Sequence, residues 1–311
     1  MSDATWFGQR MYKLGLKASS SRARRLLAGE RPGWFDNLKY RVADVIVFRN
    51  IKELLGLDRS RICYTGAAPI SKGLLEWYLT VGLPITEVYG QTEIGVVTVT
   101  RQEPLRQGTV GEAIPGVALK LSEEGEILVR HPYQFYGYLN KPDKTRETII
   151  DGWVHTGDVG QIDEHGQLII TDRMKDIIIT AGGKNITPSL FENELKFSPF
   201  VSDAVVIGDQ QKYLTCLVMI DKENVEHYAQ SCSVPFTDYR SLCTRPEIVE
   251  LIDAEVRKVN KHFSSVEQIK KFRLIDVLLT AEDEELTPTM KLKRSYVINK
   301  YNDVIRDMYG R

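Results

Sequence analysis

Five short clusters combine residue types suited to holding a phosphorylated, nucleoside-like ligand. The first is Thr65-Gly66-Ala67-Ala68-Pro69, whose small residues would let a flat ligand approach the backbone. The alternative is a tight strand–helix turn. The second is Tyr89-Gly90-Gln91-Thr92-Glu93. An aromatic face can stack on a base, a hydroxyl can donate to phosphate, and a carboxylate can hold Mg²⁺. An ordinary polar loop is the competing reading, and the specificity of the five-residue string weighs against it. In the third, Gly152-Trp153-Val154-His155-Thr156-Gly157-Asp158, the closing Asp could accept from vicinal hydroxyls, as an acidic residue does on a ribose. It could equally close an Asx-type turn.

The fourth cluster is Asp172-Arg173-Met174-Lys175-Asp176 followed by Thr180-Ala181-Gly182-Gly183-Lys184-Asn185. It reads either as a solvated linker or as a hinge leading into a Gly-rich loop that a ligand chain can pass closely. The fifth is Leu286-Thr287-Pro288-Thr289-Met290-Lys291-Leu292-Lys293-Arg294. A lysine on an irregular loop can set a point positive charge on phosphate, or it can simply be solvated. Gly183-Lys184 has no Gly at the offset a Walker loop needs, and H-E-x-x-H and G-x-S-x-G are absent, so P-loop, metalloprotease and nucleophile-elbow readings have no support.

The elements that would carry these clusters can be read from pattern. The opening 60 residues look helical, with a break at Gly29 to Gly33 and a second helical pattern at Val42 to Leu55. Arg61 to Tyr64 and Ile85 to Tyr89 read as short strands around a helix at Ser71 to Leu79, capped by Ser71. From Gly95 to Asp172 the texture is β-rich, with a hairpin formed by 117–121 and 126–129 and a strand at 168–170. Past Arg173 it becomes α+β. Strands are predicted at 177–179, 201–207, 214–220 and 272–278, and helices at 189–197, 246–263 and 293–308. Segments 1–172 and 177–311 are thus predicted as separate domains, joined by a hinge at 173–176.

The chain has 311 residues, 42% hydrophobic and 27% charged, enough for two cores. With 41 Lys and Arg against 42 Asp and Glu, it has no bulk positive charge for nucleic acid. No apolar run is long enough to span a bilayer, and the first residues lack a signal-peptide core. Four widely spaced cysteines, with no C-x-x-C pair, fit reduced thiols in a cytoplasmic protein. Membrane association is the other option. The basic stretch Arg22 to Arg25, or Lys270-Lys271 beside Phe272, could touch anionic lipid, but each reads better as a solvated surface.

In this order the clusters resemble the adenylate-forming superfamily of acyl- and aryl-CoA synthetases, peptide-synthetase adenylation domains and luciferases. YGQTE at 89–93, GWVHTGD at 152–158 and DRMKDIIITAGGKNITP at 172–188 carry the resemblance. FYGYLNKPDKT at 135–145 and LTPTMKLKR at 286–294 look most like long-chain fatty acyl-CoA synthetases.

The resemblance implies an α/β plus α+β fold: the C-terminal part of an AMP-binding large domain, then a small mobile domain. It implies ATP, Mg²⁺, coenzyme A and a fatty acid as ligands, and ligase activity through acyl-AMP. Tyr89 would stack on adenine, with Gly66, Ala67, Ala68 and Pro69 lining the adenine and acyl region. Gly90 and Gln91 belong to the same nucleotide-binding string. Thr92 would contact the α-phosphate and Glu93 would hold Mg²⁺. Asp158, helped by Arg173, would bind the ribose. Lys175 would be the hinge, Gly182 and Gly183 would flank the pantetheine path, and Lys291 would be the catalytic lysine of adenylation.

The superfamily's phosphate loop, of the type T-S-G-T-T-G-x-P-K-G, has no counterpart before Gly66. The expectation is therefore a fragment, a truncated frame or one half of a split enzyme, with a complementing N-terminal half as partner. An aryl or short-chain acid synthetase, a carrier-loading adenylation domain and a non-catalytic nucleotide-binding module are the competing functions.

Overall fold

The computed structural model describes residues 5–101, 105–279, 282–286 and 292–310. The chain divides into two compact units, Met1–Met174 and Lys175–Arg311.

The first unit opens with helices α1 (Trp6–Leu27) and α2 (Trp34–Ala43), a π-helical turn Asp44–Phe48, and α3 (Arg49–Leu54). The helical pattern predicted from Val42 thus begins eight residues earlier. Arg22 lies over the Tyr40 ring at 4.3 Å and Arg25 pairs with Asp36 at 3.2 Å, so part of the basic stretch is spent on joining α1 to α2. Next come β1 (Cys63–Thr65), α4 (Lys72–Thr80), β2 (Ile85–Gln91), β3 (Gly95–Val99) and β4 (Glu112–Ala113). Ser71 caps α4 by accepting from the Leu74 amide at 3.2 Å, as predicted. These strands form one sheet in the order β1-β2-β3-β4, with β1 parallel to β2 and the rest antiparallel.

A second sheet follows. It contains β5 (Ala118–Leu121), β6 (Glu126–Arg130), then helix α5 (Pro142–Thr148), β7 (Ile149–Ile150), β8 (Trp153–Ile162) and β9 (Leu168–Arg173). The predicted hairpin is β5–β6, with Leu121 opposite Ile127. Along β8 the residues Val154, Thr156 and Asp158 alternate inward. The stretch read as a turn closing on Asp158 is therefore a strand. Its two polar inward residues had hidden the alternation. Tyr89, Ile94, Val97, Ile127, Val129, Val154 and Leu168 form the core that joins the two sheets.

The second unit begins with a two-stranded hairpin, β10 (Ile178–Ile179) and β11 (Asn185–Ile186), and helix α6 (Pro188–Lys196). Its main sheet has the order β12 (Val201–Ile207), β13 (Leu214–Ile220), β14 (Ile269–Leu274). Between the last two come α7 (Lys222–Ser231), α8 (Tyr239–Thr244) and α9 (Pro246–Asn260). Helices α10 (Arg294–Lys300) and α11 (Asn302–Met308) close the chain. Every residue of β13 is buried, which explains why all of it but Thr215 is apolar. Ala204, Val206, Cys216 and Val218 pack towards α6 and α9. Val205, Ile207, Leu217 and Met219 pack towards α10 and α11.

Several boundaries differ from the predicted ones, and β14 ends at Leu274 rather than 278. Helix α9 stops at Asn260, because the Asn260 side chain turns to the backbone of Ile269, donating to its carbonyl and accepting from its amide at 2.9 Å each. Strand β14 starts at Ile269 because that clasp sets it there. Lys270 and Lys271 had masked the start by interrupting the apolar signal. The closing helix is two helices, broken at Tyr301 (φ −100°, ψ 23°). Among the described residues, no helix is long and apolar enough to cross a membrane.

Candidate functional site

The parallel pair β1–β2 directs two loops to the same end of its sheet, the carboxyl end, where open α/β sheets present their ligand crevice. Residues 66–69 leave β1 there, exposed. Gly66 is needed because a Cβ would lie 2.8 Å from the Val88 carbonyl oxygen on β2. Ala67 sits at φ +68°, a conformation costly for an L-residue. Strain stored at a loop tip of this kind is common at ligand sites.

On the neighbouring strand, Tyr89 and Gln91 converge on Asp158 of β8. The Tyr89 hydroxyl donates to Asp158 Oδ2 at 2.7 Å, and Gln91 Nε2 donates to the same oxygen at 2.6 Å and to the Thr156 carbonyl at 3.0 Å. Arg173 stands directly opposite Asp158 across the β8–β9 ladder and places Nε 3.3 Å from Oδ1. The Asp158 side chain is 8% exposed and that of Arg173 is 65% exposed, so a buried carboxylate is paired with a solvent-facing guanidinium. Burial, then the Asp158 charge, pushes the Tyr89 hydroxyl pKa well up, which keeps it protonated and donating. At 7% exposure the Tyr89 ring is packed on the core, so a purine would meet only the small part left open.

Gly90 lies at a bulge, where the chain crosses closest to β3. A Cβ there would be 2.1 Å from the Gly95 carbonyl oxygen. Gly90→Ala is expected to cost about 1–3 kcal/mol of stability, because the contact is with backbone that cannot rotate away. Urea denaturation measures this, and an unchanged midpoint would contradict it.

Thr92 is exposed in the turn after β2, and Glu93 is half-buried beside it. Two contacts from a later loop fix that turn. The Phe135 amide donates to the Glu93 carbonyl at 2.8 Å, and the Tyr138 hydroxyl donates to Glu93 Oε1 at 2.7 Å. Burial, then this bond to a carboxylate, raises the Tyr138 pKa. Sequence reasoning gave Tyr138 no role in the site. Its only signal was the aromatic string at 135–138. Glu126 was missed as well. It accepts from the Gly157 amide at 2.9 Å and meets His155 Nδ1 at 2.8 Å, which holds the backbone just before Asp158. No local spacing reveals a partner some 30 residues away.

Among the described residues, no group of three or more His, Cys, Asp or Glu could hold a metal ion by itself. A single carboxylate at Glu93 still fits Mg²⁺, which is usually held by one or two carboxylates together with substrate phosphates.

In the second unit, Gly182 and Gly183 form the exposed tip of the β10–β11 hairpin. The Gly183 amide donates to the Thr180 carbonyl at 2.8 Å, and Gly183 adopts φ +78°. A Cβ on Gly183 would meet nothing within 4 Å, so the tip is open to a passing chain. Lys175 begins this unit. Lys291 lies outside the described residues.

Family models decide what kind of protein carries these residues. One described as AMP-binding enzyme matches residues 18–139, and one described as AMP-binding enzyme C-terminal domain matches 175–311. The chain belongs to the adenylate-forming superfamily. Among its relatives is the long-chain-fatty-acid–CoA ligase FadD15 of Mycobacterium tuberculosis, 39% identical over 282 residues, which are 90% of this chain and 47% of the relative. Another is the long-chain-fatty-acid–CoA ligase ACSBG2 of Xenopus laevis, 36% identical over 88% of this chain and 40% of the relative. The chain spans about half the length of the relatives it matches. The adenylation domain of a carboxylate reductase from Mycobacterium chelonae shares the fold, with a TM-score of 0.67 at 22% identity over 97% of this chain and 45% of that one. An ATP-bound RpMatB-BxBclM chimera aligns with a TM-score of 0.59 at 27% identity over 85% of this chain and 50% of that one. The α/β plus α+β class predicted from sequence is the class found.

Proposed function

We propose that this chain contributes the nucleoside site and the mobile small domain of an AMP-forming long-chain fatty acid–CoA ligase. The observation that carries the reading is the convergence of Tyr89, Gln91 and Arg173 on the buried Asp158, beside the loop 66–69. In the first half-reaction a fatty carboxylate attacks the α-phosphorus of ATP, giving acyl-AMP and pyrophosphate. In the second, the thiol of coenzyme A attacks the acyl carbon, AMP leaves and the thiol proton is released.

Asp158 would accept from the ribose hydroxyls, which would take the place of Tyr89 or Gln91 at Oδ2, while Arg173 holds Oδ1. Thr92 would donate to the α-phosphate. Glu93, oriented by Tyr138, would hold the Mg²⁺ that offsets phosphate charge. Lys291 would set its ammonium on the carboxylate and α-phosphate in the first step only. Gly182 and Gly183 would let pantetheine pass in the second. Between the two steps the chain would pivot at Lys175. Met174 donates to the Gly157 carbonyl at 2.8 Å within the first unit, and Asp176 pairs with Arg294 at 3.7 Å within the second, so Lys175 is the residue left between two anchored neighbours.

The second half-reaction has no use for the triphosphate cradle. The chain is therefore expected to convert supplied palmitoyl-AMP and free coenzyme A to palmitoyl-CoA, while its fatty-acid-dependent ATP–pyrophosphate exchange stays weak. Transfer only from aryl or short-chain adenylates, or only to a carrier-protein thiol, would contradict the long-chain CoA reading.

A further inference from the structure

Asp158 sits where β8 bulges away from β6. Glu126 on β6 stands opposite Val159, and Leu128, two residues on, stands opposite His155. Ile127 therefore faces Thr156, Gly157 and Asp158, so β8 carries two extra residues at this point. A bulge re-aims side chains, and it also takes backbone groups away from their ladder partners. Side chains take the partners' place here. The Gly157 amide donates to Glu126 Oε1 at 2.9 Å, and the Asp158 amide donates to Thr156 Oγ1 at 3.2 Å. The Thr156 hydroxyl donates in turn to the Ile127 carbonyl at 2.7 Å. Gly157 turns the chain at φ +70°, and a Cβ there would meet nothing within 4 Å, so glycine serves the conformation and not the space.

Two ties thus join the bulge to β6. The one from Thr156 reaches the backbone of the facing residue. The one from Glu126 reaches the residue just before Asp158. The second oxygen of Glu126, Oε2, lies 2.8 Å from His155 Nδ1. The Glu126 side chain is 12% exposed, so its bonds are made where water competes little.

We propose that Glu126 is a positioning residue, whose carboxylate fixes the turn at Gly157 and so the angle at which Asp158 meets a ribose. The inference rests on the ribose role proposed for Asp158. It adds that Glu126 sets how sharply the site distinguishes ribose from a sugar without hydroxyls. Without the carboxylate, the Gly157 amide loses its acceptor, and a shielded amide left unpaired is costly. The bulge then turns to find another partner and carries Asp158, the next residue, with it. Contacts to the base and to the acyl chain are made by other residues and keep their strength.

Calorimetric titration of the full 311-residue chain tests this, using palmitoyl sulfamoyl-adenosine and its counterpart lacking both ribose hydroxyls. The wild-type chain is expected to bind the first about 10–100-fold more tightly, because the hydroxyls meet a charged acceptor. In Glu126→Ala this ratio is expected to fall to about threefold or less, with the affinity for the counterpart changed by less than about threefold. Glu126→Gln keeps an oxygen for the Gly157 amide and offers an NH₂ to His155 in its other tautomer. It is expected to bring the ratio back to within about threefold of the wild type. Hydrogen exchange at the Gly157 amide is expected to quicken about tenfold or more in the alanine variant and to stay slow in the glutamine variant. Glu126→Asp is one methylene too short to serve Gly157 and His155 together. It is expected to give an intermediate ratio, and it takes the place of Glu126→Ala if that variant does not fold. Equal weakening of both ligands, or an undiminished ratio in the folded variant, would make Glu126 a structural residue only and overturn the inference. A wild-type chain that binds both ligands equally, or neither, would instead overturn the ribose role of Asp158, and this inference with it.

Discussion

In an enzyme that also carries the phosphate loop, Lys291→Ala is expected to lower acyl-AMP formation by about 100–1,000-fold while leaving thioester formation from supplied acyl-AMP within about twofold. The asymmetry follows from charge. Attack on the α-phosphorus gathers negative charge on phosphate oxygens. A preorganised ammonium there acts where water is excluded, and removing one such donor typically costs about 3–4 kcal/mol. Attack by a thiol on the acyl carbon places its charge elsewhere, so under the proposed role the ammonium would give it no such stabilisation. One lysine then belongs to one half-reaction. Rapid-quench measurement of both halves, using labelled fatty acid for the first and prepared acyl-AMP for the second, separates them. Equal loss in both would remove Lys291 from the chemistry of the first step.

Asp158→Asn is expected to weaken acyl-adenylate binding on the order of 10–100-fold. The substitution keeps the shape of the side chain and removes its charge. Three donors surround the carboxylate: Tyr89 and Gln91 at Oδ2 and Arg173 at Oδ1. A carboxylate accepts at both oxygens, but an amide must turn its own NH₂ towards at least one of these donors. The ribose hydroxyls lose a charge-assisted acceptor, a contact worth about 1.5–3 kcal/mol. Isothermal titration with a non-hydrolysable acyl-AMP mimic gives the affinity, and a melting curve on the same sample shows that the variant is folded. Undiminished binding by a folded Asp158→Asn would place the ribose elsewhere.

The sequence singled out the residues that converge on Asp158 better than the means by which they meet. YGQTE and GWVHTGD name Tyr89 and Asp158, and the structure puts their tips within one hydrogen bond. Neither string says that Asp158 lies on a strand, because Thr156 and Asp158 occupy inward positions where apolar residues would have marked the alternation. Glu126 and Tyr138 were hidden for a different reason. Their roles exist only through strand pairing and loop closure, and each is a common residue in an unremarkable local setting. Periodicity served the second unit well. The strands predicted at 201–207 and 214–220 match β12 and β13 residue for residue, and β13, central in its sheet and buried on both faces, is apolar at all but Thr215. It failed where side-chain chemistry set a boundary, as at Asn260, whose amide ends α9 by clasping Ile269. The Arg294–Glu192 pair, 102 residues apart in the chain, has no local signal at all.

The central claim is that Asp158 and Tyr89 share one nucleoside with the loop 66–69. A crystal structure of this chain with a bound acyl-AMP mimic tests it most directly. The account predicts ribose hydroxyls within hydrogen-bonding distance of the Asp158 carboxylate, in place of Gln91 or Tyr89 at Oδ2, and the adenine against residues 66–69. Adenylate density away from β8, with the Tyr89–Asp158–Gln91 bonds unbroken, would contradict it.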